Sequence, residues 1–237
     1  MKFYSNITLI ALLIFFNASV VYAGDKEKII DLFEKSMKFY EKNSQFKMLT
    51  KYRLFSGEKS TDVDESYDGI LLRKNNNYYS KIGQTEFINQ ERKSIKIDNE
   101  SKLIKISEKQ MSATDKVYDL KQFYGNFEKF ELTSNGQEWI CTLTAPLISF
   151  VPYSKVIIHL DKSNFAIKKQ VLFLMQKVKY KNSKGKVISD FPRIEISFLD
   201  FKIETIDDSF FNLNNYVETK KGKSLPSKKY ATYKIVD

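Results

Sequence analysis

Apolar positions along this chain change their spacing from stretch to stretch, and each spacing predicts an element. Ile7 to Phe16 (ITLIALLIFF) is almost wholly apolar, preceded by Lys2 and followed by Val21-Tyr22-Ala23. One positive charge, an apolar core too short to cross a bilayer, and small side chains three residues and one residue before a junction form a cleavable secretory leader, residues 1–23. Residues 24–237 then make one domain. Beyond Asp25, which is placed to cap a helix, Ile29, Ile30, Phe33, Met37 and Tyr40 recur at three- and four-residue spacing, so an amphipathic helix is expected to end near Asn43.

Alternation replaces the helical period after that. Phe46, Met48, Tyr52 and Leu54 fall on one side of a strand, and Lys47, Lys51 and Arg53 on the other. From Thr61 to Leu72 a second strand places Val63, Tyr67, Gly69 and Leu71 opposite Asp62, Asp64, Ser66 and Asp68, forming a long hairpin with the first. Shorter strands follow at 78–82, 86–90, 93–98 and 103–107, with Asp98-Asn99-Glu100-Ser101 as a hairpin loop. Between Ser112 and Phe130 the spacing of Leu120, Phe123, Tyr124 and Phe127 suits one or two short helices broken at Gly125.

Asn135-Gly136 is a strong hairpin signal leading into Trp139, Cys141 and Leu143, and Val156, Ile158 and Leu160 continue the pattern. Phe165 to Tyr180 is expected as one long strand. Its apolar set shifts from Ile167, Val171 and Phe173 to Leu174, Val178 and Tyr180, which predicts a bulge near Phe173. A similar shift inside Arg193 to Ile203 predicts a second bulge, and two bulges on neighbouring strands imply a strongly curved sheet. Thr219 to Lys229 is expected as a basic loop before a final strand at Tyr230 to Val236.

Composition removes several function classes. The formal charge is +10, but the 39 Lys and Arg are spread along the chain without a basic helix or a nucleic-acid motif, so no nucleic-acid partner is expected. A lone Cys141 excludes an internal disulfide and, lying far from the leader junction, an acylated N-terminal cysteine. The sole histidine, His159, falls on the polar side of a strand, and no phosphate loop, nucleophile elbow or metal-ligand spacing is present. Asp62 to Glu65 and Asp207-Asp208 are expected as exposed charges. The chain is therefore expected to lack catalytic residues, metal and cofactors.

Local patterns resemble the LolA-like superfamily of periplasmic lipoprotein carriers. They are the aromatic strand Phe46-Lys47-Met48-Leu49-Thr50-Lys51-Tyr52, the run Gly69-Ile70-Leu71-Leu72-Arg73-Lys74, and Asn89-Gln90-Glu91-Arg92 followed by Ser94-Ile95-Lys96-Ile97-Asp98. His159-Leu160-Asp161, Ile167 to Val171 and Phe201 to Phe211 extend the resemblance across the rest of the mature chain. Asn75-Asn76 stands where the best-known branch has Arg-Pro. The resemblance implies a mainly β, α+β fold: a curved antiparallel sheet forming an unclosed half-barrel, covered by the N-terminal helix and short interior helices. It also implies a periplasmic protein of a Gram-negative bacterium, holding acyl chains in an apolar concavity and serving lipoprotein sorting or envelope lipid transport.

The inward positions that would line such a concavity are Tyr52, Leu54, Val63, Tyr67, Leu71, Ile95, Ile97, Trp139, Leu143 and Ile158. The partners implied are lipid or an acylated lipoprotein and a transport component of the inner or outer membrane, with the protein a monomer. The alternative is an envelope interaction or sensory protein that has the same fold with its core filled. N-terminal sequencing of the exported protein is expected to begin at Gly24; a product retaining Met1 would refute the leader.

Overall fold

In a computed structural model, the residues described are 24–90, 93–108, 124–149, 151–181, 185–220 and 222–236. A helix spans 24–42. The strands are β1 (Gln45–Phe55), β2 (Glu65–Lys74), β3 (Asn77–Ile82), β4 (Thr85–Gln90), β5 (Lys93–Asp98), β6 (Leu103–Ser107), β7 (Lys129–Asn135) and β8 (Glu138–Thr144). They continue with β9 (Tyr153–Asp161), β10 (Ile167–Leu174), β11 (Val178–Lys181), β12 (Val187–Asp190), β13 (Arg193–Lys202), β14 (Val217–Lys220), β15 (Lys223–Pro226) and β16 (Lys234–Val236).

Twelve of these strands form one curved, unclosed sheet in the order β16-β6-β5-β4-β3-β2-β1-β13-β10-β9-β8-β7. Every pairing in it is antiparallel except β16 with β6. This is the open half-barrel that the sequence implies.

The helix buries Ile29, Leu32, Phe33 and Tyr40 against Phe46, Met48 and Leu71 and against Leu143, Val156 and Ile158 further along the sheet. Its ends are tied to strands. The Asp25 carboxylate, expected as a cap, accepts from the Leu132 N–H of edge strand β7 at 3.2 Å. At the other end the Arg73 guanidinium of β2 donates to the Tyr40 carbonyl at 3.0 Å, where a cation complements the helix dipole.

A second core lies on the opposite face of β2 to β6. Leu72, Tyr79, Ile88, Ile95, Ile97 and Ile104 are covered there by Ile206, Phe211, Tyr216, Val217 and Tyr230 of the C-terminal segment. Lys74 fastens that segment to β2 through an ion pair with Asp208 at 2.7 Å.

Both expected bulges are present. The β9–β10 register shifts between Phe173 and Leu174. The β1–β13 register shifts beside Asp200, which has φ +47 and lets Phe201 rejoin the helix-face core after Phe198.

Three expectations need correction. The second strand begins at Glu65, not Thr61, because Asp64 N–H bonds the Leu54 carbonyl and Ser56 Oγ bonds the Asp64 carboxylate, closing a loop that leaves Val63 exposed. The long strand from Phe165 is broken: β10 stops at Leu174, and β11 pairs with β12 in a separate ribbon. Alternation signals a strand but not which sheet the strand joins. The basic loop expected at Thr219 to Lys229 is largely part of a hairpin, β14–β15, turning at Gly222 (φ +75), with Pro226 at the strand end where a missing N–H is tolerated. Most of the expected helical stretch from Ser112, and the expected leader at 1–23, lie outside the described residues.

Two substitutions test this packing. Phe33→Ala is expected to cost about 3–5 kcal/mol, by analogy with other buried aromatic truncations. Gly69→Ala is expected to lower the melting temperature too, because a Cβ there would meet Thr50 Oγ1 and, at 3.0 Å, the Lys81 carbonyl oxygen. Denaturant titration measures both; an unchanged midpoint for Phe33→Ala would refute the helix contact.

Candidate functional site

The ten concavity positions expected from the sequence fall into separate environments. Leu71, Leu143 and Ile158 share the helix-face core, with Trp139 half-buried at its border beneath the Lys162 ammonium, 4.8 Å from the ring centre. Ile95 and Ile97 belong to the other core. Tyr52 and Leu54 are half-buried on the helix-face side of β1, and Tyr52 pairs with Tyr67 across the β1–β2 ladder. Val63 and Tyr67 are exposed at 44% and 47%, and the Tyr67 hydroxyl donates to Glu65 at 2.7 Å.

The single-residue chemistry is quiet. Cys141 is fully buried, and burial pushes its thiol up to about 12. His159 Nδ1 lies 2.9 Å from Glu138 Oε2, and that hydrogen bond holds the Glu138 carboxyl below its usual range. Among the described residues no cluster of His, Cys, Asp and Glu is arranged to hold a metal ion.

A pocket of about 470 Å³ opens on the face covered by the C-terminal segment. Glu86 of β4, only 6% exposed, lies in its wall. Tyr79 of β3 donates to Glu86 Oε2 at 2.9 Å, Asn99 Nδ2 donates to Oε1 at 2.9 Å, and the Tyr230 hydroxyl approaches both oxygens at 3.4 and 3.5 Å. Tyr230 stacks on Tyr216 with ring centres 5.9 Å apart, and Phe210 tilts against Tyr79 at 5.3 Å.

Burial, and then the Glu86 charge, raise the Tyr79 and Tyr230 phenols. Tyr216 is raised by burial, then by Tyr230 and Glu86. All three therefore stay neutral; Tyr79 and Tyr230 face the carboxylate, while the Tyr216 hydroxyl donates to the Phe210 carbonyl at 2.9 Å. Lys228 and Lys229 also line the pocket, and the Lys229 Nζ stands 4.7 Å from the Tyr230 ring centre and 5.9 Å from that of Tyr216.

Sequence reasoning missed every one of these pocket residues. The available signal is Glu86 itself, which shares a strand face with buried Ile88, so a carboxylate occupies an apolar phase.

No family model matches the chain, and no curated protein matches it. Among solved structures it is similar to an uncharacterized conserved protein from Thermus thermophilus, at 9% identity over 77% of this chain and 91% of that one, with a TM-score of 0.49. It is similar also to a LolA superfamily protein from Nitrosomonas europaea, at 16% identity over 77% and 96%, with a TM-score of 0.36. The lipoprotein LppX of Mycobacterium tuberculosis matches at 8% identity over 76% and 98%, with a TM-score of 0.40.

The raised phenols give a pH dependence. Each folded-state value lies above the ordinary 10.0, so above about pH 10 the unfolded chain releases protons that the folded chain keeps, and stability falls as pH rises. Urea midpoints measured across that range are expected to drop, with a shallower drop for Tyr79→Phe; a flat profile would contradict the buried phenols.

Proposed function

We propose that this protein is a non-enzymatic carrier of the bacterial envelope that holds an acyl chain of a lipid or acylated lipoprotein between the helix at 24–42 and the sheet. The observation that supports this most is the cover, which is a single long helix among the described residues. The apolar core under the helix grades into half-buried Met37, Phe39, Leu132, Trp139 and Tyr153, and the sheet around it is not closed. Displacing this helix then exposes the lining. Each buried methylene contributes roughly 0.8 kcal/mol, so an acyl chain is retained without a specific polar contact.

The leader expected from the sequence directs the protein to the periplasm of a Gram-negative cell. There it acts as a monomer and hands its cargo to a transport component of the inner or outer membrane. A second reading is an envelope interaction protein with a closed core, favoured by the low exposure of Leu71 (5%), Leu143 (0%) and Ile158 (0%).

Trp139 decides between the two, because it is the only tryptophan and borders the core under the helix. A brominated fatty acid is expected to quench its fluorescence saturably in the carrier. Absence of saturable quenching, together with a lowered melting temperature for Leu71→Trp, would establish the closed core instead.

A further inference from the structure

We infer that the pocket beside Glu86 binds a small zwitterion, with its ammonium end against Glu86 and the tyrosine rings and its phosphate or carboxylate end at Lys228 and Lys229. The inner end carries a buried carboxyl group with no ion-pair partner among the described residues. Among the described residues Glu86 meets three hydrogen-bond donors and no cationic nitrogen, although Lys81 sits directly opposite it in the β3–β4 ladder. Neutral donors soften the cost of burying a carboxylate but leave its full charge in place. The phenols supply no counter-charge, because a tyrosine side chain is neutral or anionic and never cationic.

The walls suit an ammonium group. Tyr79, Phe210, Tyr216 and Tyr230 line it, and the Lys229 ammonium stands over the Tyr216 and Tyr230 rings, so these faces accept a ligand's ammonium once Lys229 turns to its anionic end. The mouth carries the opposite charge. Lys228 and Lys229 are exposed and form no ion pair among the described residues, while Glu218, which also lines the pocket, is engaged by Lys220 at 2.7 Å.

A simple cation meets repulsion from two lysines on entry, and a simple anion meets Glu86 inside. A molecule carrying both charges a few bonds apart complements the pocket at each end. The volume of about 470 Å³ lies within the usual span of small-molecule sites.

Such chemistry comes either from the headgroup of a zwitterionic phospholipid or from a free molecule such as phosphocholine. The pocket stands apart from the acyl-carrier reading, because Trp139 packs against the other core.

Calorimetric titration of the intact mature protein with phosphocholine and phosphoethanolamine tests the site. Both are expected to bind, with tetramethylammonium alone and inorganic phosphate alone binding more weakly. Glu86→Gln and the double variant Lys228→Ala/Lys229→Ala are each expected to weaken binding about tenfold, the scale of one lost charge-assisted contact. The double variant changes only exposed side chains, so it keeps the test valid if Glu86→Gln loosens the C-terminal segment. Competition by phosphatidylcholine vesicles would assign the lipid headgroup as source, and lack of competition the free molecule. No binding of either zwitterion, phosphate binding as tightly as phosphocholine, or an unchanged affinity in the double variant would overturn the proposal.

Discussion

Burial of β2 from both sides is the constraint on which the rest of the molecule depends. Leu71 and Leu72 are adjacent, point to opposite faces, and are 5% and 3% exposed. A sheet of this breadth has two apolar surfaces, and one helix covers only one of them. The chain therefore covers one face of β1 and the strands beyond it with the helix, and the other face of β2 to β6 with residues from Ile206 to Tyr230. Strand β2 lies under both covers, which is why Ile70-Leu71-Leu72 shows no alternation there.

The surface left outside the two cores is handled by charge. On the side of β13 away from the helix, Glu195 accepts from Lys169 at 2.8 Å, Arg53 at 3.1 Å and Arg193 at 3.2 Å. Burial acts to raise this carboxyl, but Lys169 and Arg193 outweigh it and hold the value below the usual range. Arg193 also donates to the carbonyls of Gly57 and Glu58 and covers the Phe55 ring. The loop before β2 is thus anchored by hydrogen bonds to a charged group rather than by apolar packing.

What is legible in the sequence follows the same division. The inward side of Phe46, Met48 and Leu71 can be read directly, because alternation and cross-strand pairing are local consequences of the pleat. The bulges beside Phe173 and Asp200 are legible as changes of phase. The departure of Val178 from the main sheet is not, because a free ribbon and a sheet strand share one period. Glu86 and Tyr230 lie 144 residues apart in the chain and meet only through tertiary packing, so no local spacing announces the pocket. Val63 has the apolar character of an inward residue, yet a loop closed by Ser56 and Asp64 carries it outward.

The parallel pairing of β16 with β6 bears on the order in which the chain folds. Ile104 pairs with Ile235, so the outer side of β6 stays unpaired until residues 234–236 have been added. Its apolar face, with Ile104 and Ile97, is likewise bare until the C-terminal segment arrives. Until then the chain presents a β edge beside an aliphatic surface, a combination prone to intermolecular strand addition. Pairing of β16 and docking of residues 206–230 replace that long aliphatic edge by a three-residue strand, so the aggregation hazard is confined to the time before they arrive.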